Sequence, residues 1–204
     1  MGSNLNRRNP DHWCEFHNNH GHKTADCSLL QGEVDHLLKQ GYLTELFSEK
    51  DADGVLTPQN DALVISLLVH ETNVKRVLID PASSVNIILL RVLSEMQAKD
   101  KLVPKAHTLS GFDNSSVITK GEVTLTTFAE GVVKDTKFQV VEMEMAYNMI
   151  LGRPWIHEMD VVPSTLHQVI KFPSLWGIRE IRGDQQTSRS INSVVDSSMK
   201  NEEK

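Results

Sequence analysis

Two groups of residues in this chain have the types and spacing to do chemistry. The first is Cys14, His17, His22 and Cys27, spaced C-x2-H-x4-H-x4-C. Two thiolates and two imidazoles suit the tetrahedral preference of Zn2+, and four such ligands make a closed structural site. Gly21, just before His22, allows the tight turn that so short a loop needs. A loop this small folds only by drawing on metal-binding energy. The alternative is a His-rich loop that binds nothing, and His20 is a spare in either case. The second group is a pair of strand ends. Val77-Leu-Ile runs into Asp80-Pro81-Ala82-Ser83-Ser84, and Met149-Ile-Leu runs into Gly152-Arg153-Pro154. Taken singly, an Asp followed by Pro is a turn, and a Gly after an apolar strand is a tight connection.

The elements that must hold these groups follow from the hydrophobic pattern. Residues 1–28 are polar and poor in aliphatics. Residues 28–47 read as an amphipathic helix, with Ser28 and Gln31 in a capping-box pattern. Leu30, Val34, Leu37 and Leu38 form its apolar stripe, and Gly41 is placed for the C-terminal cap. Residues 48–60 carry turn formers and charges and read as a linker whose acids are solvated. From 61 to 184, short apolar runs alternate with turn signals: Ala62–Val69, Val74–Ile79, Val117–Phe128, Lys137–Val141, Met149–Leu151 and Val169–Phe172. That spacing predicts a mostly β domain with closed or paired sheets. A helix is expected around Ile88 to Met96, and a second begins at Pro154. Trp155 and Trp176 read as core or interface anchors, and Met143, Met145 and Met149 as core filler. His157 and His167 read as surface or hydrogen-bonded side chains. Residues 185–204, rich in Ser, Asn, Gln and charge, read as a disordered tail.

The totals bound the class. The chain has 204 residues and a formal net charge of −6. Its length suits one ordinary domain with a small appendage. An acidic chain needs a local basic patch to bind nucleic acid. Its two cysteines cannot staple a fold of this size, which suits an intracellular, reducing setting. The polar N-terminus lacks the apolar core of a signal peptide. No apolar run reaches the roughly 20 residues a membrane helix needs.

Taken together and in this order, the motifs resemble the end of gag plus the protease of a gypsy-type LTR retrotransposon. The knuckle spacing is similar to the retroviral C-x2-C-x4-H-x4-C, with His17 where that knuckle has Cys. Asp80 with its small-residue turn, followed by Ile150-Leu151-Gly152, resembles a retropepsin. Ser110-Gly111-Phe112 and the strand after it lie where that family has its flap. The runs Tyr147-Asn-Met-Ile-Leu-Gly-Arg-Pro-Trp-Ile-His and Val162-Pro-Ser-Thr-Leu-His-Gln-Val-Ile-Lys-Phe-Pro are similar to plant elements of this type. The likeness covers roughly residues 13–187.

The resemblance implies a retropepsin-like closed β-barrel over 61–184, preceded by a zinc knuckle-like segment and a helix. It implies a homodimer, because each chain contributes one catalytic Asp80 and the site takes two. The pair shares one proton and activates water against an extended peptide, with no cofactor for catalysis. Ala82, Ser83, Gly111 and Phe112 would contact substrate, while Gly152 and Arg153 would form the structural turn. Cys14, His17, His22 and Cys27 would hold Zn2+. Single-stranded RNA would bind by stacking on Trp13 and Phe16 beside Arg7, Arg8 and Lys23. The expected location is cytoplasmic, in association with virus-like particles. The family motif is Asp-Thr/Ser-Gly, whereas this chain has Asp80-Pro81-Ala82. Pro81 lacks the bracing hydroxyl and the backbone N–H, and Ala82 adds a methyl. Ser84 stands where an acid often pairs with the arginine equivalent to Arg153. An active endopeptidase and an inactive dimerising or peptide-binding remnant both remain open, as does a nucleic-acid-binding piece led by the knuckle.

Overall fold

The computed structural model describes residues 13–14, 17, 19–20, 22–29, 32, 47–111 and 115–191. It divides into two units, residues 1–46 and 47–204. In the first unit, strands β1 (Trp13–Cys14) and β2 (Asn19–His20) pair antiparallel, Trp13 opposite His20. A single 3-10 turn, Thr24–Asp26, follows. The apolar stripe expected on the helix over 28–47 lies outside the described residues, as do Phe16 and Gly21; Ser28, Leu29 and Gly32 are helical.

The second unit is mostly β, as expected, and is built on a closed six-stranded barrel. Its strands are β3 (Val64–Val69), β4 (Thr72–Ile79), β5 (Ile87–Leu89), β8 (Gly121–Ala129), β9 (Val132–Val141) and β10 (Met149–Leu151). The barrel order is β10-β4-β3-β8-β9-β5, closed by β5 on β10. Two hairpins form its long sides. His70 and Glu71 join β3 to β4, and Glu130 and Gly131 join β8 to β9, all four with positive φ. Paired positive φ values match the twist of two-residue hairpin turns. Inward positions are apolar: Ile65, Leu67, Val77, Ile79, Val123, Leu125, Phe138, Val140 and Leu151 are all buried.

Around the barrel lie helices and small sheets. Helix α1 (Leu90–Glu95) follows β5, and α2 (Arg153–Glu158) follows β10. Strands β6 (Thr108–Ser110) and β7 (Ser116–Ile118) make a hairpin. Strands β11 (Val162–Ser164), β12 (Val169–Ser174) and β13 (Gly177–Arg182) make a three-stranded sheet. Trp155 is fully buried, and its indole N–H donates to Thr127 Oγ1 at 3.4 Å.

Several expectations are corrected. The helix read from Ile88 starts two residues later, because Ile88 and Leu89 complete the barrel as parallel partners of Val140 and Val141. The run Val117–Phe128 is two strands. It breaks before Gly121, whose φ is 150°, and a Cβ there would stand 2.3 Å from the Val103 carbonyl oxygen. Asp51 is not a solvated linker acid. It is buried, carried on the short 3-10 segment Glu49–Ala52, and paired with Lys171 at 2.7 Å. The tail is helical over residues 185–191, where Ser188 and Ile191 are buried. Gln185 bonds both Leu56 and Asp61, and Arg189 donates to Asp61 at 2.8 Å. Residues 192–204 lie outside the described residues. Trp176 is 66% exposed, over Gly131, rather than core. Met149 is buried, Met145 packs against the core, and Met143 is exposed. His157 is exposed, and His167 stacks on Phe47 and bonds Ser164.

Candidate active site and candidate metal centre

Asp80 and Gly152 meet because of one topological feature. Strands β4 and β5 are consecutive in the chain, yet β10 inserts between them. It runs parallel to β4 with Leu151 beside Ile79. The residue after each strand therefore emerges at the same barrel rim. Asp80 N–H closes the ladder onto the Leu151 carbonyl at 3.0 Å. The loop 80–86 must then pass over the end of β10 to reach β5. This crossing leaves no room at position 152, where a Cβ would stand 2.4 Å from the Val85 oxygen and 2.8 Å from the Ser83 oxygen. Glycine is needed here for close approach, not for an unusual φ.

The aspartate turn is held from within and from outside. Ser83 N–H donates to the Asp80 carbonyl at 3.1 Å, closing a tight turn. Ala82 N–H donates to Asp80 Oδ1 at 2.9 Å, which fixes the rotation of the carboxyl group. Ala82 is absent from the positive-φ positions, so this turn does not require glycine there. Arg153 supplies the outer brace. Its Nη1 donates to the carbonyls of Pro81 (3.0 Å) and Ala82 (2.8 Å), and its N–H donates to Ser83 O at 3.0 Å. The absence of an acid at Ser84 is thus met by backbone oxygens instead.

Asn86 was missed in the sequence. It is buried, accepts from Gly152 N–H at 2.9 Å, and donates to the Lys137 carbonyl at 3.0 Å. One side chain thereby ties the turn after β10 to strand β9. A lone Asn after a run of small residues looks like a turn former, so only its place just before an apolar strand hinted at this role.

Above the turn lies a cleft of about 380 Å3. Asp80, Ala82, Ser83 and Gly111 all line it, so the structure brings these four expected residues together. Phe112 lies outside the described residues. The remaining walls are largely apolar: Ile87, Leu109, Val117, Val141, Met143 and Ile150. The β6–β7 hairpin forms one wall, with Leu109 opposite Val117 and Gly111 N–H donating to the Ser115 carbonyl at 2.8 Å. Among the described residues that line it, Asp80 is the one ionisable group. A single half-buried carboxylate in an apolar cleft can act as a general base or acid on a bound molecule.

The N-terminal unit carries the second cluster. The ligand atoms of Cys14, His17, His22 and Cys27 all lie within 4.8 Å of one another. His17 Nδ1 is 3.4 Å from Cys14 Sγ and 3.5 Å from Cys27 Sγ. A tetrahedral zinc site with ordinary Zn–S and Zn–N bonds has S···N edges of about 3.6 Å. Both cysteines are buried, and His22 Nε2 is buried without a hydrogen-bond partner. That orphaned nitrogen is an electron pair for which a metal is the natural partner. The donor set is compatible with Zn2+, which Cys14, His17, His22 and Cys27 would hold.

Among the described residues, no helix is long and apolar enough to cross a membrane. No protein-family model matches the chain, and no curated protein sequence matches it. Solved structures do. The retroviral protease-like domain of Ddi1 from Leishmania major is 12% identical, covering 60% of this chain and 93% of its own, with a TM-score of 0.47. EIAV protease in an inhibitor complex is 16% identical, covering 54% and 99%, with a TM-score of 0.42. Simian foamy virus protease is 12% identical, covering 50% and 99%, with a TM-score of 0.34.

Proposed function

We propose that residues 61–184 form a retropepsin-like aspartic endopeptidase that works as a homodimer, from a plant-type gypsy retrotransposon. The observation that carries this reading is the Asp80 carboxylate, held on a braced turn at the floor of an apolar cleft walled by a β-hairpin. One such carboxylate is half of an aspartic protease site. A two-fold mate supplies the other, and the exposed tip of the turn, Pro81, Ala82 and Ser84, leaves a surface for it.

In that dimer the two Asp80 carboxyls share one proton, because two charges in contact cannot both be sustained. The ionised one takes a proton from a water held between them. The water oxygen attacks the scissile carbonyl, and the protonated partner donates its hydrogen to the carbonyl oxygen. Collapse of the tetrahedral adduct breaks the C–N bond, and the amine leaves with a proton. The substrate is an extended peptide with apolar side chains, which Ile87, Leu109, Val117, Val141 and Ile150 would accept. Cleavage of an apolar peptide library by the wild type and by Asp80→Asn tests the reading; equal behaviour of the two rejects it.

Pro81 favours a second reading. It offers neither hydroxyl nor N–H to the symmetry mate's turn, which suits a catalytically silent, peptide-binding dimer. Peptide binding without turnover by the wild type, with turnover appearing in Pro81→Thr, would select it. The Cys/His cluster gives the N-terminal unit its own proposed role, a zinc knuckle that binds single-stranded RNA, with Trp13, 41% exposed, as the stacking surface. Salt-sensitive RNA retention that depends on zinc tests it.

A further inference from the structure

The two arms of the β6–β7 hairpin leave the barrel by different anchors. The outgoing arm is held by backbone: Lys120 N–H donates to the Val140 carbonyl at 2.7 Å, and Gly121 then enters β8 opposite Val140. The incoming arm has only a two-way bridge between Val103 and Glu122 before it reaches His107. From there it depends on a side chain. His107 Nε2 lies 3.0 Å from Glu122 Oε1, and Lys105 Nζ lies 3.5 Å from the same oxygen. On the barrel side, Lys137 Nζ is 3.4 Å from Oε2, and Gln139 Nε2 donates to Oε1 at 3.3 Å. One carboxylate, only 16% exposed, thus joins the incoming arm to strand β9.

The anchor connects directly to the hairpin. His107 N–H donates to Thr119 Oγ1 at 2.9 Å, and Thr119 N–H donates to the His107 carbonyl at 2.8 Å. These bonds form the rung below Thr108 and Ile118, the first pair of the hairpin. Leu109, Gly111, Ser115 and Val117 farther along line the Asp80 cleft. His107 is thus joined through this rung to the cleft wall.

We propose that Glu122 is a positioning residue for the cleft wall, setting how the β6–β7 hairpin sits over Asp80, with His107 as its partner on the incoming arm. This rests on the hairpin acting as the cover of the peptidase cleft. The charged groups around the Glu122 carboxylate are His107 and Lys105 on the incoming arm and Lys137 on β9; Lys120 on the outgoing arm is engaged by Glu142 at 2.7 Å.

The test is amide hydrogen exchange on the full chain, in wild type, His107→Gln and Glu122→Gln. Glu122→Gln should lower protection of the Gly111 and Thr119 amides about tenfold, with Leu125 and Phe138 in the barrel unchanged. His107→Gln should lower it about two- to five-fold, the range of a half-exposed pair. Peptide cleavage by Glu122→Gln should show a raised KM with kcat retained. Hairpin protection that is unchanged in Glu122→Gln overturns the proposal. A wild type that cleaves nothing overturns the peptidase reading instead and leaves the exchange result standing.

Discussion

The Arg153 guanidinium donates to the carbonyl of Ala82 at 2.8 Å, across the mouth of the turn that carries Asp80. The same nitrogen reaches the Pro81 carbonyl, so the brace holds main chain and does not depend on the side chain at either position. This is how a turn reading Asp-Pro-Ala keeps a fixed carboxyl direction. Replacing Arg153 with Ala should lower stability by about 1–2 kcal/mol, the range for a hydrogen bond to a charged donor at an exposed site. Thermal unfolding measures it, and Arg153→Lys should recover less than half, because an ammonium on a flexible stem is less well pre-organised than the guanidinium nitrogen it replaces.

Gly152→Ala should be more severe. The new methyl meets the Val85 and Ser83 carbonyl oxygens, both backbone, so neither can rotate away. A destabilisation of about 2–3 kcal/mol is expected from overpacking of this kind. Denaturant melts of the variant should show a lower midpoint at an unchanged slope. An unchanged midpoint would mean that the loop 80–86 is not fixed over β10.

Acid stability is expected to draw on carboxylates held below their ordinary range, Asp51 and Glu122 most of all, beside Glu142 and Asp184. Lys171, with Ser48, holds the Asp51 carboxyl at about 2, against an ordinary 3.8. Gln139, with His107 and Lys137, holds that of Glu122 at about 2, against 4.5. Both folded values are depressed, so the stability they contribute is complete above the unfolded values and is lost as pH falls toward 2. Unfolding free energy should therefore be flat with respect to these groups above about pH 5 and decline between about pH 4.5 and 2. Asp51→Asn and Glu122→Gln should each flatten part of that decline. A decline that survives unchanged in both would mean other acids control it.

The N-terminal cluster predicts one tightly held zinc per chain after dialysis. Cys27→Ser should lose it, because a hydroxyl is a poor substitute for a thiolate ligand. Chelation should collapse the β1–β2 pairing while the barrel's thermal transition stays in place, since metal-binding energy is the folding energy of so small a loop. Metal content equal in the wild type and Cys27→Ser would reject the site.

Much of this was legible before any coordinate. Short apolar runs bounded by turn signals, such as Val74–Ile79 and Val169–Phe172, marked the strands, because a stretch of that length and composition suits a strand. Asp80 and Gly152 were legible as a pair only through the resemblance to a retropepsin, since each alone reads as a turn after an apolar strand. Other features were not, for physical reasons. Asp51 sits among turn formers, and nothing local shows that Lys171, 120 positions away, will neutralise it. The 185–191 helix is polar in composition, and it owes its order to the Leu56 backbone and Asp61. Ile88 and Leu89 fit a helical face and a strand equally well, and closure of the barrel decided between them. The His107–Glu122 anchor joins residues that each look like surface charge.

Mixing of chains tests the central claim most directly. Wild-type chain at fixed concentration is mixed with a nine-fold excess of Asp80→Asn and allowed to exchange subunits before peptide cleavage is measured. If two Asp80 carboxyls from two chains make one site, most wild-type chains become trapped in one-aspartate dimers and the rate falls to about one-tenth. A rate that does not change on adding Asp80→Asn would mean that each chain acts alone, and the shared-aspartate site would be wrong.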